Sequence, residues 1–315
     1  MNQSNKKPSL KNKIDFAVIF SVRNANPNGD PRDGNRPRKN YEGFGEVSDV
    51  CLKRKIRNRL QDMGESIFVQ MDDRRSPGDD CRSLNARIAA AGFKDDITAE
   101  KTCEKWLDVR AFGQVFAFKA KGKGKGKSKK NDESGDGSED SDSVSIGVRG
   151  PVTIQSAFST EKLYPTELPI TKSVNLEIPQ NKKGEELPDK KGSDTMGMKH
   201  RIDRGIYVAY GAMSPQLASK TGFSDDDAEK IKLALQTLFV NDESSARPEG
   251  SMSVMKVVWW NHNCPSGQYS SAKVHDSLRK LLQADGTFDE TALKADLKDL
   301  TPELLDELVK APNEK

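Results

Sequence analysis

The chain has 315 residues, enough for one large domain or two modest ones. Hydrophobic residues make up 34% and charged residues 31%, which is polar for a compact enzyme and points to long solvated insertions or to surface awaiting a partner. The net charge of +3, from 51 Lys plus Arg against 48 Asp plus Glu, neither requires nor forbids a nucleic-acid partner, because binding depends on where the charge sits.

Cys51, Cys81, Cys103 and Cys264 are scattered without a CxxC pair, and His200, His262 and His275 stand at no zinc-ligand spacing from them. The expectation is a reduced intracellular chain with no structural metal and no cofactor. Met1 to Lys13 is polar and basic, without the apolar core of a signal peptide, and no apolar run approaches membrane-spanning length. A soluble cytoplasmic protein with no membrane partner is expected.

From Ile14 to Arg23 the chain alternates: Ile14, Phe16, Val18, Phe20 and Val22 share one face, with Asp15, Ser21 and Arg23 on the other. That pattern predicts a half-buried strand. It runs into Asn24 to Pro31, a dense set of turn formers, and the loop stays polar and basic through Arg36, Pro37 and Arg38. Ser48 is a good helix N-cap, followed by Asp49 at the positive end of the dipole and by Leu52, Ile56 and Leu60 as a buried stripe. Lys53, Arg54 and Arg57 flank that stripe on one side, Lys55 and Arg59 on the other.

Glu65 to Met71 reads as a second strand, Asp72 to Asp80 as loop, and residues 82–112 as a mostly helical insertion. Residues 119–143 are low-complexity, lysine and glycine followed by an acidic run, and lack the apolar side chains needed to offset the entropy of folding. A disordered loop is expected there. Strand-like alternation resumes over Ser143 to Ser159, then a polar insertion lies between Ile170 and Lys199, and Arg201 to Tyr210 is again strand-like. Ser224 opens a helix with Asp225, Asp226 and Asp227 in its first turn and Ala228, Ile231, Leu235 and Leu238 as its apolar stripe. Met252 to Trp260 predicts a strand, and residues 271–315 a charged helical tail.

Without the insertions the order is strand, helix, strand, strand, helix, strand, the ferredoxin-like arrangement of RNA-recognition motifs. The fold class expected is therefore α+β, one core domain over residues 14–262 with large excursions.

The strongest functional signal is the first loop with the helix after it. Asparagine amides at Asn24, Asn26 and Asn28 can bond sugar, phosphate or base edges, and Arg36 and Arg38 can grip phosphate with a bidentate fork. A basic run such as Lys53 to Arg59 commonly does no more than solvate a helix face, but this one follows a basic loop at the end of a core strand. Lys172 and Ser173, with Lys199, His200 and Arg201, flank the second polar insertion, where small polar and basic groups suit backbone contacts to a single strand; an ordinary loop with incidental charge explains them equally well. Aromatic residues are only 6% and form no ribonucleoprotein consensus, so an RNA partner would be held by phosphates and sugars, with little sequence preference. Enzyme motifs are missing: no phosphate loop, no GxSxG elbow and no HExxH. Asp30 and Asp33 could pair for a metal, yet Asp in such a turn is more often a turn former.

Several blocks together resemble the backbone subunit of type I-C CRISPR Cascade. They are Asn24 to Pro31 with Gly34 to Arg38, Val47 to Arg57, Ile146 to Phe158, Ile170 to Asn175, Gly192 to Arg201 and Ser244 to Met252. The resemblance implies a modified RNA-recognition fold of the repeat-associated (RAMP) superfamily, shaped as a palm with fingers, residues 72–112, and a thumb, residues 170–200. It implies a non-catalytic protein that polymerises along CRISPR RNA, contacting neighbouring copies of itself and other Cascade subunits. The guide would pair with target DNA, which a recruited helicase-nuclease degrades. By this analogy Arg149 and Gln155, inside the third block, join the RNA-binding set. Related type III backbone subunits cleave RNA with an acidic loop residue, which keeps a metal-dependent ribonuclease using Asp30 or Asp33 as the alternative.

Overall fold

The computed structural model describes residues 8–75, 78–94, 96–118, 144–174, 186 and 194–308. The low-complexity stretch 119–143 and most of the second polar insertion lie outside them.

Strand β1 (Ile14–Ala25) runs through the centre of the main sheet. Short pairs β2 (Gly29–Asp30) and β3 (Arg36–Pro37) pin the first loop, and β4 (Phe44–Val47) leads into helix α1 (Asp49–Asp62). Helices α2 (Leu84–Ala90), α3 (Ala99–Lys105) and α4 (Leu107–Phe112) precede the β5 (Gly113–Phe118) and β6 (Val144–Arg149) hairpin. Then come β7 (Val152–Ile154), β8 (Ala157–Lys162), β9 (Thr166–Lys172) and the long β10 (Thr195–Met213). Helices α5 (Pro215–Thr221) and α6 (Asp225–Gln236), strand β11 (Met252–Asn261), helices α7 (Ser271–Arg279) and α8 (Glu290–Asp296) and strand β12 (Glu303–Leu305) complete the described order.

The sheet path is β12-β11-β1-β10-β8-β4, with β1 antiparallel to both neighbours. On one face Phe16, Val18, Phe20 and Val22 pack with Leu52, Ile56 and Leu60 of α1 and Ile231 and Leu235 of α6. Both helices begin as the sequence reading expects: Ser48 caps α1, and Ser224 with Asp227 forms a capping box on α6. On the other face Ala17, Ile19, Val258 and Trp260 are covered by Val274 and Leu278 of α7, Leu293 of α8, and Leu297 and Leu300. A third cluster, Phe68, Ile88, Trp106, Val109 and Phe116, centres on α2 to α4 and the β5–β6 hairpin.

Three sequence expectations change. Strand β1 is buried on both faces over most of its length, because the C-terminal segment covers the side taken to be solvated. That segment is helical only in part: Leu304 and Leu305 lie in β12, which pairs with β11 and extends the sheet. Residues 65–71 form no strand, because the backbone N–H groups of Phe68 and Val69 donate to the Asp108 carboxylate at 2.7 and 3.0 Å instead of to a ladder. The fourth strand of the β11-β1-β10-β8 core is β8 instead.

The covered face is locked by a buried polar cluster. The Asp15 carboxylate, with no exposed side-chain surface, meets Lys13 Nζ at 3.0 Å and His262 Nε2 at 2.8 Å. His262 Nδ1 accepts the Gln268 N–H at 2.9 Å, which leaves its Nε2 to donate to Asp15. His275 on α7 donates from Nε2 to the Gly211 carbonyl at 3.1 Å, 3.6 Å from Asp15 Oδ1. Asp15, His262 and His275 together thus link β1, the residue after β11, α7 and β10. His262 is structural, as its position after the strand suggests.

Candidate nucleic-acid interface

The loop leaving β1 is internally braced. Asn24 adopts φ +51°, a left-handed conformation that asparagine tolerates, and interrupts the ladder between Arg23 and Ala25. Asn26 is buried, and its Nδ2 donates to the Asn35 carbonyl at 2.7 Å. Asn28 Oδ1 accepts from both the backbone N–H and the hydroxyl of Ser48, each at 3.0 Å, fixing the loop to the N-cap of α1. Asp30 Oδ1 accepts the Arg32 N–H at 3.0 Å and lies 3.5 Å from Arg38, while Asp33 pairs with Arg36 at 3.0 Å. Both acidic residues therefore act here as turn and ion-pair partners.

The basic run of α1 is largely internal, unlike the exposed, RNA-facing flanks expected from its sequence. Lys55 is 3% exposed and bonds Asp242, and burial lowers its pKa. Arg59, also buried, donates to Thr237 Oγ1 at 2.8 Å. Arg57 reaches Asp108 at 3.2 Å and lies over the Phe112 ring at 5.1 Å, with its pKa lowered by desolvation. Five cations on a 14-residue helix cannot all face outward when three apolar residues need the core; Asp242 and Asp108 from distant segments take Lys55 and Arg57, and Asp62 of the same helix lies 3.5 Å from Arg59. Lys53 and Arg54 remain half-buried at the surface; Lys53 meets Asp49 at 3.1 Å.

Beyond the sheet, β9 and β10 continue as an antiparallel arm. Residues directly opposite share a face, so its register divides the arm in two. Lys172, Lys199 and Arg201 fall on one face with Ile170 and Leu168; Met196, Met198, Pro169 and Thr171 fall on the other, ending at Glu167 and His200. Lys172, Ser173 and Lys199 are exposed. Arg201 donates to Asp203 at 2.9 Å, and hydrogen bonds from Thr166 and Arg201 hold that carboxyl below its ordinary pKa. His200 is buried at the root, 3.7 Å from Glu167. Glu167 also takes Arg36 Nε at 2.9 Å, joining arm root to first loop and, with Asp33, raising the Arg36 pKa.

Arg149 is exposed at the end of β6, and Gln155 is exposed between β7 and β8. The fold thus groups the first loop with the start of α1 and with the arm root, while Arg149 and Gln155 stand on other elements. Asn26 Oδ1, Arg38 Nε, Arg54 Nη1 and His200 Nδ1 are buried polar atoms with no hydrogen-bond partner among the described residues. Such atoms cost about 1–3 kcal/mol each when left unsatisfied, and others of the kind lie in the core, at Tyr207, Tyr210 and Trp260.

Arg247 was not singled out in the sequence. It shares the Asp242 carboxylate with Lys55, at 3.2 Å, on a loop whose Ala246 carbonyl accepts the Asn26 N–H at 2.9 Å. Only the block Ser244 to Met252 hinted at this loop, and no local periodicity could place it against residue 26.

An antiparallel sheet with helices on both faces, a braced basic loop and a two-faced arm make this a mixed α/β protein. The model of the family "CRISPR-associated protein Cas7" matches residues 12–301, and the chain belongs to that family. A CRISPR-associated protein Cas7 of Haloferax volcanii is 26% identical over 228 residues, which cover 70% of this chain and 62% of the relative's length. Two solved chains, from a CRISPR RNA-guided surveillance complex and from one captured pre-nicking, are similar with TM-scores of 0.38 and 0.46. Their identities are 16% and 12%; the first match covers 79% of this chain and 68% of that chain, the second 90% and 86%.

Among the described residues no helix is long and apolar enough to cross a membrane.

Proposed function

We propose that the chain is a non-catalytic backbone subunit of type I-C Cascade, which binds CRISPR RNA through its sugar-phosphate backbone and repeats along it. Other Cascade subunits, target DNA paired with the guide, and a recruited helicase-nuclease complete the set of partners. Family membership and the two-faced arm carry this reading. One arm face carries cations for a phosphate chain, and the other presents Met196 and Met198, 77% and 51% exposed, to a neighbouring copy.

The β11-β1-β10-β8 order, with α1 and α6 in the crossovers, supports a palm of RNA-recognition type, with fingers in residues 72–112 and a thumb in residues 170–200. The sheet face opposite α1 and α6 is filled by α7 and α8, so RNA would run along the loop end and not across the sheet. Backbone binding without readout of base edges suits a holder of variable guide sequences.

Charge reversal at Lys53 and Arg54 tests the placement without disturbing the buried Arg57–Asp108 pair. K53E/R54E should weaken binding to unrelated single-stranded RNAs by the same factor and lower the salt slope by about 1.4, at about 0.7 per lost phosphate contact. An unchanged slope would return this face of α1 to plain solvation.

A further inference from the structure

Arg23 and Arg204 are direct cross-strand partners where β1 and β10 leave the sheet, so both side chains project from the same face. Both are exposed, and neither guanidinium has an ion pair or hydrogen bond to a described residue. Like charges directly opposite one another destabilise an antiparallel pair; Asp285 attracts Arg204 across the adjoining cleft, while Arg23 has no ion pair with a described residue. Arg204 also lines a cleft of about 440 Å³ with Lys162, Glu161, Asp285 and Tyr164. Asp285 Oδ1 is occupied by the Thr287 N–H and hydroxyl at 2.9 and 2.6 Å. Arg204 and Lys162, on β10 and β8, thus share the cleft with two carboxylates, Arg23 stands beside it as the ladder partner of Arg204, and Tyr164, 83% exposed, lines the same cleft.

We propose that Arg23 and Arg204 form a phosphate clamp for single-stranded RNA on the tail-covered side of the sheet, with Lys162 beside it and Tyr164 as a stacking surface for a base. The clamp rests on the RNA-binding reading above and adds a contact separate from the first loop and the arm. Two guanidinium forks at ladder spacing hold a bridging phosphodiester by charge-assisted hydrogen bonds, and the bound phosphate removes their mutual repulsion. The repulsion in the free protein is then the trace of a site shaped for its ligand. The arrangement predicts an inverse relation between stability and binding: neutralising the pair strengthens the sheet and weakens the complex.

The full chain, R23Q/R204Q and R23K/R204K are titrated with a labelled single-stranded RNA over a range of salt concentrations, alongside thermal melts. The glutamine variant should melt at or above the temperature of the unmodified chain, bind about tenfold more weakly at low salt, and lose about 1.4 from the salt slope. The lysine variant should keep most of the slope. Unchanged affinity and slope in R23Q/R204Q, with the unmodified chain binding, would overturn the clamp alone. No binding by the unmodified chain would fell the RNA reading and the clamp with it. A lower melting temperature in R23Q/R204Q would assign the pair to structure. Normal binding of one copy to short RNA, with loss of assembly on longer RNA, would assign it to a protein neighbour.

Discussion

Asp15→Asn should cost about 3–5 kcal/mol of unfolding free energy, the range for removing one partner of a buried ion pair. The carboxylate is fully buried beside Lys13, two residues before it, and His262, the residue after β11. Losing it leaves Lys13 without its counter-ion and loosens α7 from the sheet, so a fall in the denaturant midpoint should be joined by faster amide exchange in residues 271–279. A variant as stable as the parent would mean that the cluster is incidental to packing.

Acid should act through the same cluster. Burial lowers the His275 pKa from its usual 6.5, more than the nearby Asp15 and the Gly211 carbonyl raise it; Arg279 and Lys13 also lower it. Between 6.5 and the depressed native value the unfolded chain holds more protons than the native one, so stability falls as pH falls through that window. Burial raises the Asp15 pKa, but hydrogen bonds from His262, Ser271 and Lys13 hold it below 3.8, so its contribution is lost at still lower pH. Unfolding measured from pH 8 to pH 3 should therefore show a first decline near pH 6.5, smaller in His275→Gln.

K172E/K199E should abolish most RNA binding while leaving the melting temperature unchanged. Both lysines are exposed on one arm face and pair with no described acidic group, so nothing in the fold depends on them. Converting two attractive phosphate contacts to repulsive ones should weaken binding about tenfold to a hundredfold at low salt, about 1.4–2.8 kcal/mol. M196S/M198S offers the complementary case: binding of one copy to short RNA should persist while association of neighbouring copies is lost. If the methionine variant loses RNA binding as well, the two faces do not have separate duties.

Much of the local structure was legible because it rests on local chemistry. The Ser48 and Ser224 caps, the 3.6-residue stripes of α1 and α6 and the alternation of β1 and β11 follow from neighbours in sequence. What escaped depends on contacts between distant residues. The sequence of 65–71 satisfies a strand pattern, but its backbone donors are taken by Asp108, 40 residues away for Phe68. Leu304 and Leu305 fit a helix stripe until β11 offers an edge to pair with. The basic run of α1 reads as an exposed, RNA-facing surface in the sequence because the counter-ions of Arg57 and Lys55, Asp108 and Asp242, are remote in the chain. The site was legible as a set of residue types but not as geometry: the Arg36–Glu167–His200 junction spans 131 residues between its first two members.

The most direct test of the central claim is native mass spectrometry of the purified chain with guide-length single-stranded RNA and magnesium. A discrete series of protein copies on intact RNA, spaced by the 34.8 kDa chain mass, is the expected result. Cleavage of that RNA, lost in Asp30→Ala or Asp33→Ala, would contradict it and establish a nuclease.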